Sequence, residues 1–256
     1  SLSSDVYRGE RRPAGNLLAQ ALTYHCGVEH AATLDYARII RIAVHPELQQ
    51  QGIGSALIDY IVAKEKQHGR DAVGTSFGMN TELLSFWKRS KFNVVRIGFT
   101  REQTSGEHAA IMLQPLTAQG SEVYKEACTR FNQQLPFWFS DVLKDIPSKI
   151  KNSFNIKAAE SLELNKFDKK DLDSFVKYSR NYELCIAALN KLVVMNECYI
   201  QHETFNDNFR KVLNNKVIKK LSWKEIAVKM KLSGKNEARK LFHNAIGYLI
   251  IKNAEE

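Results

Sequence analysis

Along residues 38–62 the apolar positions change period. Ile39, Ile40, Ile42 and Val44 form a short β-branched run that reads as a buried strand, and His45-Pro46 ends it. From Ile53 onward the apolar residues recur as Leu57, Ile58, Ile61 and Val62, the spacing of a helix that lays one face on a sheet. That helix is predicted to begin close to Gly52. Between strand and helix lies the loop Gln49-Gln50-Gln51-Gly52-Ile53-Gly54.

The same two periods alternate on either side of this unit. Val6-Tyr7-Arg8-Gly9 reads as the end of a strand, and residues 16–25 as a helix with Leu17, Leu18, Ala21 and Leu22 on one face. Residues 71–77 form a strand pattern, residues 81–88 a helix carrying Leu83, Leu84, Phe86 and Trp87, and residues 92–99 and 109–113 two further strands. The alternation predicts an α/β fold, a mixed β-sheet flanked by helices. From Ser121 onward strand patterns fade, and helices are expected over 121–135, 169–178, 184–195, 206–220, 223–231 and 235–251. Ser222 with Glu225 forms a capping box, and Gly234 separates the last two helices, which resemble a helix-turn-helix. The expected organisation is therefore two domains, residues 1–120 and a mostly α-helical domain over 121–256.

Composition narrows the class. In 256 residues, 44% are apolar and 10% aromatic, enough for a sizeable core. No apolar run reaches the roughly 18 to 20 residues of a membrane span, and no secretory signal opens the chain, so a cytoplasmic protein with no membrane partner is expected. Cys26, Cys128, Cys185 and Cys198 lie far apart without a Cys-x-x-Cys pair. They suggest reduced buried thiols, with neither a metal site nor a disulfide framework. The formal charge of +9 is uneven: residues 151–256 hold 20 Lys and Arg against 13 Asp and Glu. A basic helical half beside a catalytic module points to a polyanionic partner such as RNA, although lysine-rich helices also serve simply as solvated faces.

The loop carries the chemistry. Two glycines at a strand-to-helix junction let backbone N–H groups approach a ligand, and the helix N-terminus adds partial positive charge, so the corner suits a phosphate or pyrophosphate. A P-loop would need Gly-x-x-x-x-Gly-Lys-Ser/Thr, and a dinucleotide fingerprint a third glycine where Leu57 stands. The pattern Gln-x-x-Gly-x-Gly after a strand ending in Val-x-Pro resembles the acyl-CoA loop of the GNAT acetyltransferases, whereas a bare Gly-x-Gly is also an ordinary tight turn.

Flanking residues sharpen the resemblance. Arg11-Arg12-Pro13-Ala14-Gly15-Asn16-Leu17 with Gln20, Arg41-Ile42-Ala43-Val44-His45-Pro46, Ser76-Phe77-Gly78 and Phe86-Trp87-Lys88-Arg89 are similar to the bacterial tRNA(Met) cytidine acetyltransferase family over residues 6–116. The resemblance implies a GNAT sheet with a slot between splayed strands, and an acetyl-CoA- and ATP-dependent acetylation of N4 of the wobble cytidine in the anticodon loop of elongator methionine tRNA. It also implies an ATP- and Mg-using module ahead of this part and a helical tail that helps hold tRNA. Few residues precede the loop here, so the chain reads as the C-terminal part of a longer protein. Carried over by position, Ile42, Ala43 and Val44 would meet the pantetheine arm and thioester, Gln49, Gln50, Gln51, Gly52, Ile53, Gly54 and Ser55 would cradle the pyrophosphate, and Glu82 and Arg89 would add coenzyme contacts. Arg89 would otherwise be a surface arginine, and Glu82 a first-turn helix residue.

Two positions depart from the superfamily pattern. Trp87 stands where many members place a tyrosine acid, and Lys91 replaces the usual glycine before Phe92. His45, directly after the strand, is the candidate general base, its alternative being a turn histidine; His25, His30 and His108 have no positional argument. Two rivals stand beside this reading. One is an acetyltransferase for protein or small-molecule amines, the other a non-enzymatic acyl-CoA-sensing helix-turn-helix that binds nucleic acid. Nothing in the sequence sets an oligomeric state.

Overall fold

Four strands build one mixed sheet: β1 (Tyr36–Ile39), β2 (Ala72–Gly78), β3 (Asn93–Arg101) and β4 (His108–Pro115), in the order β1-β2-β4-β3. β1 runs parallel to β2, and the other two pairs are antiparallel. The computed structural model describes residues 1–11, 15–103, 105–156, 162–178 and 180–255. The chain divides into two units, residues 1–132 with 146–156, and residues 133–145 with 157–256.

In the first unit, α1 (Leu2–Arg8) and α2 (Leu17–Gln20) precede the sheet, and α3 (Ile53–Gln67) and α4 (Thr81–Arg89) flank β2 in sequence. α5 (Ala118–Ser140) belongs to this unit through Asn132, and α6 (Ser148–Lys151) returns to it. One core layer is shared by Leu18 and Leu22, the sheet residues Ala72, Ile111 and Leu113, and Val123 of α5. Gly74 of β2 lies against it so closely that a Cβ there would sit 2.7 Å from a Leu18 methyl. The chain ends of the sheet are tied at Asp71, whose carboxylate accepts from the Asp35 N–H (2.9 Å) and the Thr117 hydroxyl (2.7 Å) while its carbonyl accepts from the Leu116 N–H (2.8 Å). Ile58 of α3, and Leu84 and Trp87 of α4, are buried, and Trp87 packs its ring 6.1 Å from Phe77 and 5.1 Å from Phe92.

Three expectations need correction. The β-branched run is not a strand through Val44: the β1–β2 ladder ends at Ile39 opposite Thr75, whose hydroxyl donates to the Ile39 carbonyl at 3.2 Å. β2 continues to Gly78 paired with β4, so the two strands part, and Ile40 is left 69% exposed. β propensity favours extension, but only a paired neighbour makes a strand. Residues 6–9 are likewise not a strand. They end α1, capped by Ser1 and closed by Gly9 in the left-handed region (φ 84°), because a terminating glycine supplies the turn that a strand would not need. Finally, α2 passes at Ala21–His25 into a π-helical turn closed by Cys26 N–H on the Ala21 carbonyl (3.0 Å), and Leu17 is exposed while Leu18 and Leu22 are buried.

The cysteines are free, with Cys26 and Cys185 buried and Cys128 partly so, but Cys198 is exposed, against the expectation of a buried thiol. Burial pushes the Cys128 thiol up to about 11, so it stays protonated at neutral pH.

The second unit is helical: α7 (Lys166–Lys177), α8 (Ile186–Met195), α9 (Glu197–Gln201), α10 (Asp207–Leu213), α11 (Trp223–Lys229) and α12 (Lys235–Glu255). α8 is buried from Ile186 to Val193, and α12 contributes Ala238, Phe242, Ala245, Ile246 and Leu249 to the core. The capping box before α11 is present, with Ser222 Oγ accepting from the Glu225 N–H (3.3 Å) and Glu225 Oε2 from the Ser222 N–H (2.7 Å). Three ion pairs lie inside this unit: Arg180–Asp171 at 3.1 Å, Lys191–Asp168 at 2.7 Å and Lys216–Asp141 at 2.9 Å. Two of the lysines that make this half basic are thus internal and neutralised.

Candidate functional site

Where β1 leaves β2, the freed chain and the next helix enclose a groove of about 540 Å³. Ile42, Ala43 and Val44 form one wall, the loop residues Gln49, Gln50, Gly52, Ile53, Gly54 and Ser55 the corner, and Glu82 and Arg89 of α4 the opposite side. These are the sequence candidates, and the fold brings them together. Gln51 and His45 are not in the lining: the Gln51 side-chain amide donates to the Glu47 carbonyl (3.1 Å), and His45 is exposed at the start of the Pro46–Leu48 turn.

The corner is built by local constraints. The Gln49 side-chain amide donates to the Val44 carbonyl (3.0 Å), pinning the loop back on the wall. Gly52 adopts φ 84°, a left-handed geometry natural to glycine, and starts α3. The first helical hydrogen bond runs from the Ala56 N–H to the Gly52 carbonyl (2.9 Å), and no side chain caps this end. The N–H groups of Ile53, Gly54 and Ser55 therefore lack helical partners and add their dipoles at the corner. A Cβ at Gly54 would lie 3.3 Å from the Phe86 ring and 3.6 Å from a Val44 methyl, so glycine keeps the corner open.

α4 presents two faces. Leu84 and Trp87 point into the core, while Glu82, Leu83, Phe86 and Arg89 line the groove. Asn80 sets the helix start by accepting from the Leu83 N–H (2.8 Å). The Glu82 carboxyl is held below its usual range, first by a hydrogen bond from its own backbone N–H and then by the Thr81 hydroxyl, so it is ionised; Lys149 stands 3.6 Å away. Lys88 is engaged, donating to the Ser153 carbonyl with its ammonium 5.3 Å from the Phe154 ring centre, and burial lowers its pKa. Arg89 makes no hydrogen bond or ion pair among the described residues, which leaves its guanidinium available to the groove. An uncapped helix start, a glycine corner and a free guanidinium around an apolar-walled groove fit a ligand with a phosphate end and a less polar arm.

Leu48, Leu83 and Phe86 also line the groove and escaped the sequence reading. A signal existed for two of them: four apolar residues within Leu83–Trp87 exceed what one helix face can bury. The other histidines lie elsewhere. His108 is buried with Nδ1 2.8 Å from the Gly98 carbonyl, His25 packs edge-on to Tyr24, and His30 is exposed. Of the motif over residues 11–17, Arg12, Pro13 and Ala14 fall outside the described residues; Asn16 caps α2 through the Ala19 N–H (3.3 Å).

The two departures from the superfamily pattern have a structural account. Trp87 is a core residue, 3% exposed. Lys91 sits at φ 66°, the left-handed turn after α4 that glycine adopts without strain. Lys91→Gly is therefore expected to raise stability by about 0.5–1 kcal/mol, measured as a higher midpoint of thermal unfolding.

The sheet order, the parting of its parallel pair and the loop-to-helix corner define a GNAT-type acetyltransferase domain, and residues 1–69 and 61–117 match the family model GNAT acetyltransferase 2. Beyond that domain, the match continues along nearly the whole chain. It is 35% identical over 254 residues, 98% of this chain, to tRNA(Met) cytidine acetyltransferase TmcA of Nitrosococcus halophilus. It is 36% identical over 75% of this chain to the TmcA of Actinobacillus pleuropneumoniae, and 30% identical over 84% to that of Pyrococcus abyssi. The chain belongs to the tRNA(Met) cytidine acetyltransferase family. It spans about a third of the length of these relatives: 34%, 32% and 27% respectively.

Proposed function

We propose that the groove holds acetyl-CoA and that this chain carries the acetyl transfer to N4 of the wobble cytidine of elongator tRNA(Met). The observation that carries the proposal is the convergence of the freed wall, the glycine corner and Arg89 on one groove. The coenzyme supplies an activated acetyl thioester. The amides of Ile53, Gly54 and Ser55 and the Arg89 guanidinium hold its phosphates, while Glu82, of opposite charge, accepts from its N–H donors. The segment Ile42–Val44, freed from β2, offers backbone groups other than the Val44 carbonyl, which Gln49 occupies, to the amides of its arm.

The acceptor chemistry sets what else is needed. The cytosine amine is neutral, its lone pair delocalised into the ring, so it must lose a proton during or after attack. His45 directly follows the wall, is exposed and has no side-chain partner among the described residues; we assign the proton to it. His45→Ala should lower the rate of transfer and leave acetyl-CoA affinity unchanged. The target base must also be unstacked, which costs a few kcal/mol and is least in a single-stranded loop. Basic helices of the second unit contribute the opposing binding energy through phosphate contacts. The sequence contains no P-loop, so an ATP-using step would belong to another part of such an enzyme.

Arg89→Ala should weaken acetyl-CoA binding by about tenfold, the loss of one charge-assisted contact, and the remaining affinity should depend less on salt. The whole reading is tested by mass spectrometry of nucleosides from tRNA incubated with the complete protein, acetyl-CoA and ATP. N4-acetylcytidine is the expected product. Acetylation of peptides or polyamines with no product in tRNA would sink it in favour of the amine rival, which the relatives' names do not favour.

A further inference from the structure

Within the second unit lies a cavity of about 390 Å³ that takes no part in the groove described above. Its walls are aromatic and its rim basic: Tyr182, Trp223 and Phe242 meet Arg239, Lys240 and His243. Trp223 is held edge-on by Tyr182 (5.3 Å between ring centres) and Phe242 (5.4 Å), so its ring is fixed. The Arg239 guanidinium lies 5.8 Å from the centre of that ring. The Trp223 indole N–H, Arg239 and Lys240 have no hydrogen-bond or carboxylate partner among the described residues. His243 donates from Nε2 to the Phe175 carbonyl (3.1 Å), which leaves Nδ1 as an acceptor. Arg180 at the wall is paired with Asp171, and Glu183 is the carboxylate of the lining.

We propose that this cavity is a subsite for one unpaired nucleotide of RNA, its base against Trp223 and its phosphate on Arg239 and Lys240. The chemistry is that of single-strand recognition: a rigid π-face accepts any base, a mobile guanidinium stacks on or bonds to it, and cations meet the backbone. RNA is favoured over a free nucleotide because the positive charge continues past the cavity. Lys224, Lys229, Lys231 and Lys235 are exposed on the same helix pair, while Glu225 and Glu237, the glutamates nearest them, are engaged in helix starts, Glu225 on Ser222 and Glu237 on Ser233. The proposal rests on the RNA reading above and deepens it by naming where a nucleotide sits.

The test titrates the full chain with tRNA and with single-stranded oligoribonucleotides. Arg239→Ala/Lys240→Ala, both exposed, should weaken binding by about 10- to 100-fold and flatten the salt dependence by about 0.7 in log–log slope, the share of one single-strand phosphate. In the unaltered chain, RNA should quench the emission of Trp223, since Trp87 and Trp138 are 3% and 4% exposed and shielded. An oligonucleotide with abasic sites should lose that quenching. If the unaltered chain binds no RNA, the RNA reading itself fails. If it binds RNA but the double variant keeps both affinity and slope, this subsite alone is wrong. Mononucleotides binding as tightly as RNA, or duplex DNA binding as tightly with the same loss in the variant, would equally overturn it.

Discussion

Gly54→Trp is expected to abolish acetyl-CoA binding, raising Kd more than about 100-fold, while the chain still folds. The position is at the start of α3, where tryptophan is tolerated in a helix at a cost of well under about 1 kcal/mol. Its Cβ would already lie 3.3 Å from the Phe86 ring, so the indole has only the groove to enter. There it fills the space in front of the Ile53–Ser55 amides, and a ligand that must reach those donors is excluded sterically as well as electrostatically. Titration calorimetry with acetyl-CoA reads the first effect and thermal unfolding the second. Retained affinity would show that the phosphate corner lies elsewhere; a collapsed melting curve would show that Gly54 is structural.

The second large effect belongs to the helical unit. Lys216→Met should destabilise that unit by about 3–5 kcal/mol, because it leaves a buried carboxylate without its cation. Lys216 is 2% exposed; its ammonium bonds Asp141 (2.9 Å) and the Leu221 carbonyl (3.1 Å), and it lies 4.8 Å from the Tyr182 ring centre and 5.1 Å from that of Trp223. Among the described residues, Asp141 would keep the Tyr182 hydroxyl (2.9 Å) as its side-chain hydrogen-bond partner, with the Lys220 ammonium acting on it through charge alone. Burial, and then Asp141 itself, push the Tyr182 phenol well above its usual range, so Tyr182 remains a donor and cannot supply charge. Asp141→Asn/Lys216→Met should recover much of the loss, since it removes the stranded charge along with its partner. Denaturant unfolding of the three variants reads this directly. Additive losses would mean that the pair does not interact energetically.

How much of this was legible follows from what each signal measures. The α3 corner could be read because two glycines mark a backbone requirement that no other residue type meets as well, and because the apolar period changes on either side of them. The end of β1 could not. Ile40, Ile42 and Val44 have the composition of the strand before them, and what stops the ladder is the departure from β2, a tertiary fact; the same residues become a groove wall. Leu83 and Phe86 look like Leu84 and Trp87 in sequence, although one pair lines the groove and the other fills the core. Lys191 and Lys216 read as surface charge because lysine is rarely buried, and only their pairing with Asp168 and Asp141 explains their place inside.

The central claim is that main-chain donors at the start of α3 hold the phosphates of acetyl-CoA. Amide hydrogen exchange of the chain, with and without saturating acetyl-CoA, tests it residue by residue. The account predicts slowed exchange at Gly52 through Ser55 and along Ile42–Val44, with the second unit unchanged. Unaltered exchange at that corner alongside measurable binding, or protection confined to the helical unit, would contradict it.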